Sequence, residues 1–147
     1  TGAEFDGVYS GYLATPDQTE AVREIIRMLR RPQFHVIVDP AMADNGSYYS
    51  NLDDRMCRAF RSLIADADVI TPNITEAALL ADAEYRHEGH DEAYLRSRIP
   101  EEDLLGMIHY NAEVIDADRR GISPYDVSAK AVEEIRAIKD RIDNEKK

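Results

Sequence analysis

Three short apolar runs, each followed by a capped amphipathic stretch, constrain this chain more than any other feature. The first, Phe5-Asp6-Gly7-Val8-Tyr9, ends at Ser10-Gly11-Tyr12 and leads to Thr15-Pro16-Asp17-Gln18. Thr15 is a capping residue, Pro16 suits the first helical position and Gln18 the third. Val22, Ile25, Ile26 and Leu29 then recur at helical spacing. The second run, Phe34 to Val38, is interrupted only by His35, as in a parallel strand covered on both faces. Ser50-Asn51-Leu52-Asp53 caps a helix with Met56, Phe60, Leu63 and Ala67 on its buried stripe. Asp68-Val69-Ile70-Thr71 is the third run, and Pro72-Asn73-Ile74-Thr75-Glu76 opens the third helix. Strands joined by crossovers of this length run parallel, and the crossovers are right-handed. The order therefore predicts an α/β fold, a doubly wound parallel sheet with helices on both faces.

The texture changes after Ala83. Glu84 to Arg98 is charged and polar, with a short helical segment from Asp91 to Arg96. Leu104-Leu105-Gly106-Met107-Ile108 reads as a further strand, making about four in the sheet. A short helix near Ala112 to Ala117 stops at Gly121, and a terminal helix places Ala131, Ile135, Ile138 and Ile142 on one face. A length of 147 residues fits one α/β domain over 1–147.

A formal net charge of -11 disfavours nucleic acid and anionic membrane surfaces, which need a basic patch. No window is apolar and long enough to span a bilayer. Cys57 is a lone cysteine, so an intramolecular disulfide is excluded, and a reducing, cytoplasmic setting is the expectation. Cys57 itself reads as a small core residue and His35 as a core or helix-facing one. His87 and His90 have no cysteine nearby and lack the zinc-protease pattern, so they read as a solvated turn. Arg23, Arg27 and Arg30 interleave with Glu20 and Glu24, the pattern of a solvated helix face. Bare sheet edges invite pairing, which leaves a homodimer open alongside a monomer.

In an open parallel sheet, ligands bind outside the carboxyl ends of the strands. Ser10 and Tyr12, Asp39 and Asp44, and Thr71, Asn73 and Glu76 all fall at that edge. Its carboxylates suit Mg²⁺, a hard ion held by one or two acids plus phosphates. A structural alternative is equally open: Asn73 and Glu76 have capping-box spacing, and Asp39 can simply terminate a strand.

Phe5-Asp6-Gly7-Val8-Tyr9-Ser10-Gly11-Tyr12-Leu13, Asp39-Pro40-Ala41-Met42-Ala43-Asp44-Asn45-Gly46 with Tyr49, and Ala67-Asp68-Val69-Ile70-Thr71-Pro72-Asn73-Ile74-Thr75-Glu76 resemble successive blocks of pyridoxal kinases, in the ribokinase-like superfamily. The resemblance runs from Phe5 to Arg96 and implies Mg²⁺ and ATP as cofactors. It places Asp39, Thr71 and Glu76 at the nucleotide, and Asp44, Asn73 and Glu76 at the metal, directly or through water. Two positions depart from the family pattern: Ala41 stands where valine is usual and Ala43 where glycine is usual. The Gly-Thr-Gly-Asp type of loop, whose amides cradle phosphate and whose aspartate takes the substrate proton, does not occur in the sequence, and no catalytic residue is assigned. The chain alone is therefore expected to be catalytically inactive. The alternatives are a ligand-free scaffold and a phosphotransferase completed by another chain.

From Ile99 onward, Leu104 to Asn111, Val114, Ala117 and Gly121-Ile122-Ser123-Pro124 are similar to the C-terminal end of P-loop ATPases of the MinD and carbon monoxide dehydrogenase maturation class, with His109 and Asn111 departing from it. The Walker loop of that class is not in the sequence. Together the two resemblances predict a chimera of segments 1–98 and 99–147 with a seam near Arg98 to Pro100, the second segment extending the sheet of the first.

Overall fold

Phe34, Val36 and Val38 are buried while His35, between the first two, is exposed, so the second apolar run is a strand with one face in a core. A computed structural model describes residues 4–85 and 92–145 of the chain. The chain divides into two compact units, residues 1–90 and 91–147.

The first unit begins with β1 (Gly7–Ser10) and α1 (Pro16–Leu29). Thr15 caps α1 with Pro16 in its first turn, and Gln18 Oε1 accepts the Ala14 amide at 2.7 Å, tightening the entry. Next come β2 (His35–Val38), β3 (Ala43–Asp44) and β4 (Ser47–Tyr48). Asp53 then caps α2 (Asp54–Ile64) by accepting the Arg55 amide, followed by β5 (Val69–Ile70) and α3 (Ile74–Leu80). The parallel sheet has order β1-β2-β5. Tyr9, Ile37 and Val69 are in register across it, as are Ser10, Val38 and Ile70.

The α/β class with a parallel sheet is as expected. Strands that follow one another in space as in sequence, joined by right-handed crossovers, place α1 and α2 on the same side. Ile26 of α1 and Met56, Phe60 and Leu63 of α2 are buried together against Val36 and Val38. Fully burying a side chain of this size stabilises by about 1.5–3 kcal/mol, so this cluster holds the unit together. His35 is not a core histidine: strand alternation sends it and Ile37 to the side opposite Val36 and Val38, where it is exposed. Ile25 is also 46% exposed rather than buried. Cys57 is buried as expected, its Sγ 3.6 Å from the Leu79 carbonyl. The arginines of α1 are surface ion pairs: Arg23 meets Glu20 and Asp66, Arg27 meets Glu20, and Arg30 meets Asp68.

The second unit contains α4 (Glu92–Arg98), α5 (Ala112–Arg119), α6 (Pro124–Val127) and α7 (Ala129–Glu145), with no strand among its described residues. The expected fourth strand at Leu104 to Ile108 therefore does not form, and the parallel sheet has three strands. The segment lies along α7 instead. Arg141 donates to the Glu101 carbonyl at 2.7 Å, and Glu134 accepts from the His109 amide at 3.1 Å and contacts His109 Nδ1 at 2.9 Å. Between these, a Cβ on Gly106 would fall 2.5 Å from Ile138 Cγ1, so glycine permits the close approach. The apolar run packs on a helix rather than joining a ladder. His87 and His90 lie outside the described residues. No helix among the described residues is long and apolar enough to cross a membrane.

Candidate functional site

The Asn73 and Glu76 side chains form a reciprocal capping box. Asn73 Oδ1 accepts the Glu76 amide at 3.0 Å, and Glu76 Oε2 accepts the Asn73 amide at 2.9 Å. The same two residues reach the loop after β2. Glu76 Oε1 accepts the Met42 amide at 3.0 Å and the Ala43 amide at 3.4 Å, while Asn73 Nδ2 donates to the Ala43 carbonyl at 2.7 Å. Glu76 is only 2% exposed, and its carboxylate accepts one backbone amide at the start of α3 and two from the loop after β2. Neither residue offers an open site of its own.

Their effect is to fix the β3–β4 hairpin. Asn45 and Gly46, at φ 50 and 78, make its two-residue turn, and the Gly46 amide donates to Thr75 Oγ1 at 3.0 Å. This hairpin is not among the elements expected from the residues, although Asn-Gly between short apolar segments is its usual signal. Asp44 is exposed on it, its carboxylate accepting the Asn45 amide at 2.8 Å and Asn45 Nδ2 at 3.1 Å.

At the carboxyl edge of the sheet, Tyr9 Oη donates to Asp39 Oδ2 at 3.0 Å, and the Thr71 side chain adjoins the same hydroxyl. Asp39 and Thr71 each lie two residues beyond the row of Tyr9, Ile37 and Val69, on the side of the sheet that α1 and α2 leave uncovered. Tyr9 is held above the ordinary tyrosine value, first by its bond to Asp39 and then by burial, so its hydroxyl remains a donor. Tyr49 is also raised, first by burial and then by the charges of Glu76, Asp44 and Asp39. Three carboxylates thus act on one hydroxyl. Tyr9 and Tyr49 belong to this edge, but tyrosines in an apolar run and a polar loop carry no sequence signal that sets them apart.

Of the residues expected at the site, Asp39 and Thr71 come together, Asn73 and Glu76 come together beneath the hairpin, and Asp44 stands exposed above. Among the described residues, no group of three or more His, Cys, Asp or Glu is disposed to enclose a metal ion. An open edge of carboxylate and hydroxyl oxygens nevertheless fits Mg²⁺, which keeps several waters and takes only one or two acids from the protein. The chemistry of the donors is right for a hydrated ion, not for a closed cage.

A parallel α/β unit with oxygen donors at its carboxyl edge has the layout of the open α/β folds that take ligands outside the carboxyl ends of their strands. The chain belongs to the phosphomethylpyrimidine kinase family, whose sequence model matches residues 2–99. Among solved structures it is similar to a putative phosphomethylpyrimidine kinase from Bacteroides thetaiotaomicron, with 41% identity, a TM-score of 0.59, and coverage of 63% of this chain and 32% of that one. A second crystal form of that protein contains pyridoxal. It is also similar to pyridoxal kinase from Lactobacillus plantarum, at 34% identity and TM-score 0.53, covering 57% and 30% of the two chains. Pyridoxal kinase from Leishmania donovani, solved with ADP and pyridoxamine, is 28% identical at TM-score 0.52, covering 60% and 30%. The chain thus spans about a third of the length of these relatives. No curated protein matches it.

Proposed function

We propose that residues 5–85 form the Mg²⁺–nucleotide edge of a phosphotransferase that acts on a small hydroxymethyl-bearing nitrogen heterocycle, either a pyridine such as pyridoxal or a pyrimidine. The observation that carries this reading is the convergence of Asp39, Thr71, Asp44 and Tyr49 around one edge whose loop is pinned from below by Asn73 and Glu76. Asp39 and Asp44 are the carboxylates open to a hydrated cation, and Thr71 faces the nucleotide. Asn73 and Glu76, implied by resemblance to hold the metal, act in this reading by fixing the backbone at Met42 and Ala43. Asp39 and Asp44 would hold the ion, and it would supply positive charge to offset that of the phosphates. The chain's own contribution is binding and orientation, because no Gly-Thr-Gly-Asp loop is present to take the substrate proton. In this reading the edge binds and orients, and the group that takes the substrate proton lies outside these residues.

Calorimetric titration with ATP, with and without Mg²⁺, tests the reading. Metal-dependent heat that disappears in Asp39→Ala and weakens in Asp44→Ala supports it. No heat at millimolar ligand from cooperatively folded protein overturns it.

A second reading concerns residues 99–147, which we take to be a piece of different origin joined to the kinase segment. It is supported by the end of the family match at residue 99 and the division into units after residue 90. Independent cooperative unfolding of a 1–98 fragment would support it; failure of that fragment to fold would count against it.

A further inference from the structure

We propose that Tyr9 is a positioning residue for the cation–nucleotide edge: its hydroxyl, carried on β1, holds Asp39 at the end of β2 by Oδ2 and so sets the orientation of that carboxylate. The inference rests on the reading of that edge given above. An aspartate at the end of a strand turns about two soft torsions, and a cation gains most from a carboxylate already oriented toward it. Asp39 is half-buried, and Tyr9 Oη is the side-chain donor that meets it among the described residues. Packing gives no reason for a tyrosine here, because Tyr9 is 62% exposed and its ring lies on the uncovered side of the sheet. The hydroxyl is the part of the side chain in use. Because that hydroxyl also adjoins Thr71, it ties the ends of all three parallel strands into one arrangement.

The test is ATP calorimetry, with and without Mg²⁺, on the wild-type chain, Tyr9→Phe, Asp39→Ala and the double variant, with thermal unfolding of each. Removing one charge-assisted hydrogen bond is expected to weaken Mg²⁺-dependent affinity about three- to tenfold, with metal-free binding and melting temperature unchanged. Tyr9→Phe should add nothing in the Asp39→Ala background. The Tyr9 ¹³Cζ resonance should move in Asp39→Ala without any ligand, which reports the contact itself. If Asp39→Ala abolishes metal-dependent binding while Tyr9→Phe matches wild type, the positioning role is wrong and the edge reading stands. Equal weakening with and without metal, or a lowered melting temperature in Tyr9→Phe, reduces Tyr9 to a structural residue and overturns the proposal. A wild-type chain with no metal-dependent binding overturns both.

Discussion

Glu76 accepts the amide of Met42, 34 residues earlier in the chain, at 3.0 Å in a fully buried contact. One carboxylate thereby ties the start of α3 to the loop after β2, which makes it the joint between a capping box and a hairpin. Replacing Glu76 with alanine strands up to three amide donors, two of them on the buried residues Met42 and Ala43. The expected loss is about 3 kcal/mol, with each stranded buried donor costing roughly 1–3 kcal/mol. Glu76→Gln keeps one acceptor but sets an NH₂ against a donor, so it recovers only part of the loss. Urea unfolding midpoints of the two variants check the order.

The Asn45–Gly46 turn gives a second expectation. At φ 78, Gly46 occupies the left-handed region, and an added Cβ would lie 2.6 Å from the Tyr85 ring. Gly46→Ala combines backbone strain with a ring displacement and is expected to destabilise by about 1–3 kcal/mol. Asn45→Gly, at φ 50, should cost far less, because glycine accepts that conformation readily. Thermal unfolding of both variants separates strain from steric conflict.

Ser10 provides the opposite case. Its Oγ is buried without a hydrogen-bond partner among the described residues, so the folded state carries a polar atom that water would have satisfied. Ser10→Ala is expected to be neutral or stabilising by about 1 kcal/mol. A drop in the unfolding midpoint would show that the hydroxyl has a partner.

Tyr48 predicts the alkaline limit of stability. Burial first, and then its 2.9 Å bond to Asp54, push its hydroxyl well above the ordinary tyrosine value, and Tyr49 is raised in the same sense. Unfolded tyrosine loses its proton near pH ~10, while the folded chain still holds it. Above that pH the unfolded state binds fewer protons, so stability falls as pH rises toward the folded values. This contribution is fully present below about pH 10. Tyr48→Phe should flatten the decline above that point, at a cost of about 1 kcal/mol at neutral pH from the lost hydrogen bond. Denaturation curves from pH ~8 to ~11 measure the slope.

Much of the first unit was legible from residues alone. Thr15 with Pro16, Asp53, and Asn73 with Glu76 mark three helix starts by local capping chemistry, and the structure places all three as caps. The apolar periodicity of Met56, Phe60 and Leu63 likewise gave the buried stripe of α2. Leu104 to Ile108 misled for a physical reason: an apolar run shows that a segment is covered, not whether a strand or a helix covers it. Here the cover is α7, reached through Gly106 against Ile138.

The amino-acid order by itself determined what is local or periodic: the capped helices, the parallel strands they connect, and the family to which residues 2–99 belong. Only the tertiary structure decided which polar groups share an environment. Tyr9 and Asp39 are 30 residues apart, and Met42 and Glu76 are 34 apart. Strand register and hairpin geometry bring each pair within 3.0 Å. Capping acts through groups a few residues apart, whereas the orientation of Asp39 and the commitment of Glu76 depend on contacts that exist only once the strands and the hairpin are in place.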